Sequence, residues 1–322
     1  MAWETGTVAN NAALFNKIRD FLTTNADLLT AGEAWTQELG NTGVLVNGDQ
    51  ITLRGSGLTG TDNIYCGLET LEDTGAETYN IRFWGHASFE PADLPREQSL
   101  RSGDQYILCW NNPMTYWIVA NGRRWMLVVK VSTVYSSAYC GFFLPYAAPS
   151  EYPFPMIVAG IADGNGRWSD TSYRYRFMAS PGYNTMSMYW PDNVWRRVGN
   201  YDQGGGTEYG EESYADLSGF IFPTRHYDSE PPDYDGSPSD EDIINNTDPC
   251  FDGTYILRDL IPISSAAGGP YHGLMGALDG AYWVPGRGNS AENIITINTQ
   301  DHLVVQNFFR TGFRDYMAIR LL

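Results

Sequence analysis

Gly55-Ser56-Gly57-Leu58-Thr59-Gly60 matches the G-x-G-x-x-G wording of a dinucleotide site. That chemistry needs the last glycine to open a helix whose N-terminal amides hold a pyrophosphate. Thr61-Asp62-Asn63 and the apolar residues after it read as turn and strand, so no cofactor is expected there. The histidines His86, His226, His272 and His302 lie far apart, and no G-x-S-x-G, H-E-x-x-H or P-loop wording accompanies them. Each reads as a hydrogen-bonded core or surface residue, although a dispersed triad would leave the same trace. Asp233-Tyr234-Asp235-Gly236 with Asp240, Glu241 and Asp242 has the acidity of a calcium loop, but neither its ligand spacing nor its flanking helices. It is expected to be a solvated loop. Cys66, Cys109, Cys140 and Cys250 stand 43, 31 and 110 residues apart, which excludes a legible zinc motif and leaves small buried apolar residues as the expectation. Asn245-Asn246-Thr247 fits a glycosylation sequon, read as chance because no secretory signal is visible. Carboxylate pairs suited to glycoside cleavage meet only in space, and none can be named. The expectation is a protein without catalytic, cofactor or metal residues.

The elements that would position these groups are mostly strands. Aromatic residues make up 14% of the chain against 18% charged, and 34 glycines favour tight turns, so the fold class is mainly β. Antiparallel sheets in a sandwich or barrel-like arrangement are expected, with one N-terminal amphipathic helix. Leu14, Phe15, Ile18, Phe21 and Leu22 set that helix over Asn10–Leu22, capped by Asn10 or Asn11 and docked on the chain's own sheet. Asn121-Gly122 separates two apolar runs and predicts a type I′ hairpin over 116–131. A second Asn-Gly signal predicts pairing of Val44–Val46 with Ile51–Leu53. Ile64–Leu68 and Tyr79–Trp84 read as a meander, and Trp168–Trp195 as further sheet turning at Ser180-Pro181-Gly182. Tyr255–Ile263 is a strand candidate, Asp279-Gly280 is expected to turn a third hairpin, and Ile294–Ile297 to pair with Leu303–Phe308. Tyr316–Leu322 closes the chain as a strand. A break near residue 95 would divide a helix-and-hairpin region, 1–95, from a β-rich main domain, 96–322, though one domain would also fit. An acidic loop spans about 200–252, and residues 228–252 carry nine carboxylates with no lysine or arginine, too polar to order themselves.

The net charge of −18 disfavours nucleic acid and anionic membrane as partners. Arg123-Arg124 and Arg196-Arg197 read as salt-bridge partners for surplus carboxylates in preference to a phosphate site. No run approaches 18 apolar residues, so no membrane span is expected. Tyr139, Phe142, Phe143, Tyr146, Tyr152 and Phe154 crowd into 16 residues with three prolines, too irregular for strand or helix periodicity. This segment is the candidate contact surface, with Phe142, Phe143, Tyr146, Tyr152 and Trp190 as interface candidates.

Ala120-Asn121-Gly122-Arg123-Arg124 and Ala138-Tyr139-Cys140-Gly141-Phe142-Phe143-Leu144-Pro145-Tyr146 resemble structural proteins of tailed bacteriophage virions. The start, Met1-Ala2-Trp3-Glu4-Thr5-Gly6-Thr7, is similar to that family's opening. So are Leu278-Asp279-Gly280-Ala281-Tyr282-Trp283-Val284-Pro285-Gly286 and Val305-Gln306-Asn307-Phe308-Phe309-Arg310-Thr311-Gly312. The resemblance touches both ends and the middle and skips the acidic region. It implies a virion component of the tail, baseplate or neck, made in the host cytoplasm, a homo-oligomer in contact with other virion proteins. A tail-tip module binding a receptor or host-surface glycan is the alternative, suited by 31 tryptophan and tyrosine residues. A glycan depolymerase ranks last, for want of a nameable acid pair.

Overall fold

The computed structural model describes residues 1–60, 62–173, 185–198, 219–223, 254–264, 273–286, 288–309 and 316–321. The acidic segment, the Ser180-Pro181-Gly182 turn, Cys250, His226, His272 and the sequon lie outside them. Three larger antiparallel sheets carry the fold. The central one has seven strands in the order Ala2–Val8, Met114–Asn121, Arg124–Val131, Val134–Phe142, Met156–Ala159, Met186–Tyr189 and Trp195–Arg197. A five-stranded sheet is built in chain order from Thr36–Gly40, Gln50–Gly55, Ile64–Asp73, Thr78–His86 and Gln105–Cys109. Another five-stranded sheet is ordered Arg258–Asp259, Ala281–Trp283, Tyr316–Arg320, Gln300–Gln306 and Ile294–Ile297.

Alternation along Arg124–Val131 explains the layering. Trp125, Leu127 and Val129 enter one core with Leu14, Phe15, Ile18 and Phe83, whereas Met126 and Val128 enter a second core with Trp283, Leu303 and Ile319. The central strands of the seven-stranded sheet therefore bury both faces, one under the N-terminal sheet and helix, the other under the C-terminal sheet. This is why Val134–Phe142 shows no polar alternation: all nine residues are buried. The irregular aromatic segment expected from Tyr139 thus begins as a central strand. The sheets also cross the boundary expected near residue 95, because Thr78–His86 pairs with Gln105–Cys109 and Ala2–Val8 pairs with Met114–Asn121.

Helix α1 (Asn11–Thr24) is capped by Asn10, whose side chain accepts from Ala13 N–H, and it buries the expected stripe. A second helix, α2 (Ala26–Ala31), was not anticipated. Asn25 ends α1 and caps α2, and Gly32 at φ 68° terminates it.

The 116–131 hairpin forms, but its turn differs from the expected one. Asn121 pairs with Arg124 as strand residues, leaving Gly122-Arg123 as the loop, and neither Asn121, Gly122 nor Arg123 has positive φ. The Asn121 side-chain oxygen instead accepts from Arg123 N–H and Arg124 N–H, each at 3.0 Å, an Asx-type turn. Positive φ at two successive loop residues occurs at Asn298 (51°) and Thr299 (67°), between Ile297 and Gln300. Val44–Val46 is not a strand; Gln50–Gly55 pairs with Thr36–Gly40 instead. Leu45 is drawn away because Asn16 of α1 donates to its carbonyl and accepts from its N–H, both at 2.8 Å. Asp279-Gly280 does turn the chain, yet it joins strands of different sheets, so the third hairpin is absent. Tyr255–Ile263 divides into Arg258–Asp259 and the start of Ile261–Ser264, again in two sheets. The Gly55–Gly60 segment leads through a turn into strand Ile64–Asp73, not into a helix.

Gly67 lies opposite Trp84, and a Cβ built on it would overlap the buried indole. Gly67→Ala is expected to cost roughly 1–3 kcal/mol by displacing Trp84, read as a lower urea midpoint with an unchanged slope.

Candidate contact surface

The hairpin tip and the residues packed against it form a buried ionic cluster. Asp279 Oδ2 accepts from Asn121 Nδ2 and Arg123 Nε, both at 2.9 Å, while Arg124 Nε donates to the Asp279 carbonyl at 3.0 Å. Arg320 Nη2 reaches Asp279 Oδ1 at 3.2 Å. Arg124 and Asp279 are almost fully buried, and Arg124 also meets Met1 Sδ at 3.2 Å. Tyr139 Oη–H donates to the Phe142 carbonyl, and the same oxygen accepts from Asp279 N–H. Three guanidiniums surround one carboxylate, so the expectation that Arg123-Arg124 serves a carboxylate holds, and Asp279 is that carboxylate. Burial by itself pushes the Asp279 carboxyl up, but Arg124 and Arg123 outweigh it and hold the group down at about 2. The cluster ties the chain's start, the central hairpin and the last described strand to one turn.

The aromatic segment proceeds from this cluster. Phe142, Phe143, Tyr152 and Trp190 are buried inside the chain's own core. Phe142 packs edge-on against Phe154 at 4.8 Å, Phe143 against Tyr152 at 5.6 Å, and Phe154 against Tyr189 at 5.4 Å. Arg196 lies over the Trp190 ring, 4.6 Å from its centroid, and is held by Asp192. Of the five interface candidates, only Tyr146 faces outward, 56% exposed.

Tyr146 belongs to a small sheet region that the sequence reading did not identify. Leu144–Pro145 pairs with Gly276–Ala277, Tyr146 N–H donates to the Met275 carbonyl, and Met275 N–H donates to the Pro262 carbonyl. Ile261–Ser264 then pairs with Gly273–Leu274 on one side and Gly219–Phe222 on the other. Ile221 and Pro262 point inward and are buried. On the opposite face Phe222 stands across from Ile261, and Ile263 across from Leu274. Phe222 is 37% exposed and Leu274 57%, with Ile261 and Ile263 half-buried between them. Leu144, also exposed, lies on the adjoining two-stranded piece. Only the parity of Ile261 and Ile263 around Pro262 could have flagged this face, and apolar residues on both sides of each strand conceal which side is outward.

Of the ten tryptophans, only Trp3 is more than about a third exposed, at 36%. Among the described residues no helix is long and apolar enough to cross a membrane. No family model matches the chain, and no curated protein matches it in sequence.

Proposed function

We propose that this chain is a structural component of a tailed bacteriophage particle, in the tail, baseplate or neck. It works by contacts with copies of itself and with neighbouring virion proteins. The observation that carries the reading is the apolar outer face of Phe222, Ile261, Ile263 and Leu274, flanked by Leu144 and Tyr146. Monomers seldom leave such side chains contiguous on one sheet face, and a partner gains by covering them. The resemblance of residues 120–124, 138–146 and 278–286 to virion structural proteins supplies the kind of partner. Tryptophans placed mainly in the cores favour architecture over a sugar-stacking platform.

The paired change Phe222→Ser with Leu274→Asp tests this role. Incorporation of the variant into particles is expected to fall at least about tenfold, since one central apolar contact of an interface is worth upwards of about 1.4 kcal/mol. The free chain should keep its circular dichroism and melting temperature. Wild-type incorporation of the folded variant would remove this face from the assembly contacts.

A further inference from the structure

Cys66 and Cys140 lie in different sheets, Cys66 in strand Ile64–Asp73 and Cys140 in Val134–Phe142, yet their sulfurs are 3.2 Å apart. Both thiols are free and neither is exposed. The approach is local. Cys66 is paired across its sheet with Gly85, and Cys140 across its own with Val158. A Cβ on Gly85 would meet Met156 Cε at 2.6 Å and Val158 Cγ2 at 2.8 Å, so the glycine is what lets the two sheets come this close. Among the described residues Cys109 has no such neighbour; its thiol donates to the Ile107 carbonyl.

We propose that Cys66 and Cys140 form an oxidisable pair that closes to a disulfide between the two sheets when the chain equilibrates with a low-molecular-weight disulfide. One protein thiolate attacks the small disulfide and releases one small thiol. The second protein thiolate then attacks the mixed disulfide and releases the other. The protein loses two hydrogens and two electrons, and one molecule of the small disulfide becomes two thiols. A disulfide needs its sulfurs at about 2.05 Å, so the pair must close by roughly 1 Å. Burial and the neighbouring Cys66 raise the Cys140 thiol well above its ordinary range, and both sulfurs are closed off from a small disulfide in the folded state. Exchange therefore runs through opening of the layer or during folding. The crosslink would close a loop of some 75 residues and restrict the unfolded chain accordingly.

The chain is refolded from urea, and in parallel incubated folded, in a buffer of oxidised and reduced glutathione, then alkylated and mapped without reduction. The refolded sample should lose two hydrogens in mass and yield a Cys66–Cys140 linked peptide, with Cys109 and Cys250 alkylated. Its melting temperature should rise by roughly 5 °C and return on reduction. Cys66→Ala should leave Cys140 alkylated. Four free thiols after refolding, or a crosslink through Cys109 or Cys250, would overturn the assignment. The wild-type map decides this even where the variant fails to fold.

Discussion

Asp279→Ala is expected to destabilise the folded chain by about 3–5 kcal/mol, because it removes one partner of a buried ion cluster and leaves the other charges uncompensated. Arg124 has no exposed surface, its Nε meets Asp279, and its Nη1 has no hydrogen-bond partner among the described residues, so the loss cannot be made good by turning toward water. Arg123 and Arg320, partly exposed, can re-solvate and contribute less. Urea unfolding at neutral pH measures the effect, and a loss under about 1 kcal/mol would mean that the cluster does not hold the chain's start, the hairpin and the last described strand together. Arg124→Met should cost less than Asp279→Ala, since Arg123 and Arg320 still neutralise Asp279 while the methionine refills the apolar volume. The folded carboxyl titrates at about 2, below the ordinary 3.8, so its stabilisation is complete above about pH 4 and is lost as pH falls toward 2.

Mild acid should act through a different residue, His86, and at a higher pH. Trp84 Nε1–H is shared between His86 Nε2 at 2.9 Å and the Pro95 carbonyl at 3.2 Å, and an accepting Nε2 belongs to a neutral ring with its proton on Nδ1, which has no hydrogen-bond partner among the described residues. The ring is fully buried, and Arg101 and Arg96 sit over the adjacent Trp84 indole. Burial first, and the Arg101 charge second, pull the folded pKa from 6.5 to about 3. The unfolded chain therefore takes up a proton that the folded chain refuses. Stability from this residue is complete above about pH 6.5 and declines as pH falls toward 3. Between pH 7 and about pH 4.5 the loss should be about 2–3 kcal/mol. His86→Gln, whose side-chain oxygen can still accept from Trp84, should flatten the urea midpoint across that range. An equal slope in wild type and variant would assign the acid sensitivity elsewhere.

The helix was legible because Leu14, Phe15, Ile18, Phe21 and Leu22 repeat at helical spacing and Asn10 caps it. Pairing of 116–131 was legible because two apolar runs flank Asn121-Gly122. The turn was not, since the Asn121 side chain supplies the hydrogen bonds that positive φ would otherwise provide. Strand Val134–Phe142 lost its alternation through burial on both faces, which made Tyr139 and Phe142 look like surface rings. Arg123-Arg124 announced a carboxylate partner, but Asp279 lies some 155 residues away and only the folded sheets bring it there. The face of Phe222 and Leu274 was hidden for a related reason: its strands are two to four residues long, too short for a period to show.

The most direct test of the proposed role is a reconstruction of an intact tailed-phage particle carrying this chain. The chain is expected in the tail, baseplate or neck, repeated by the particle's symmetry, with Phe222, Ile261, Ile263 and Leu274 covered by a neighbouring chain. Absence of the chain from purified particles, or its presence with that face open to solvent, would contradict it.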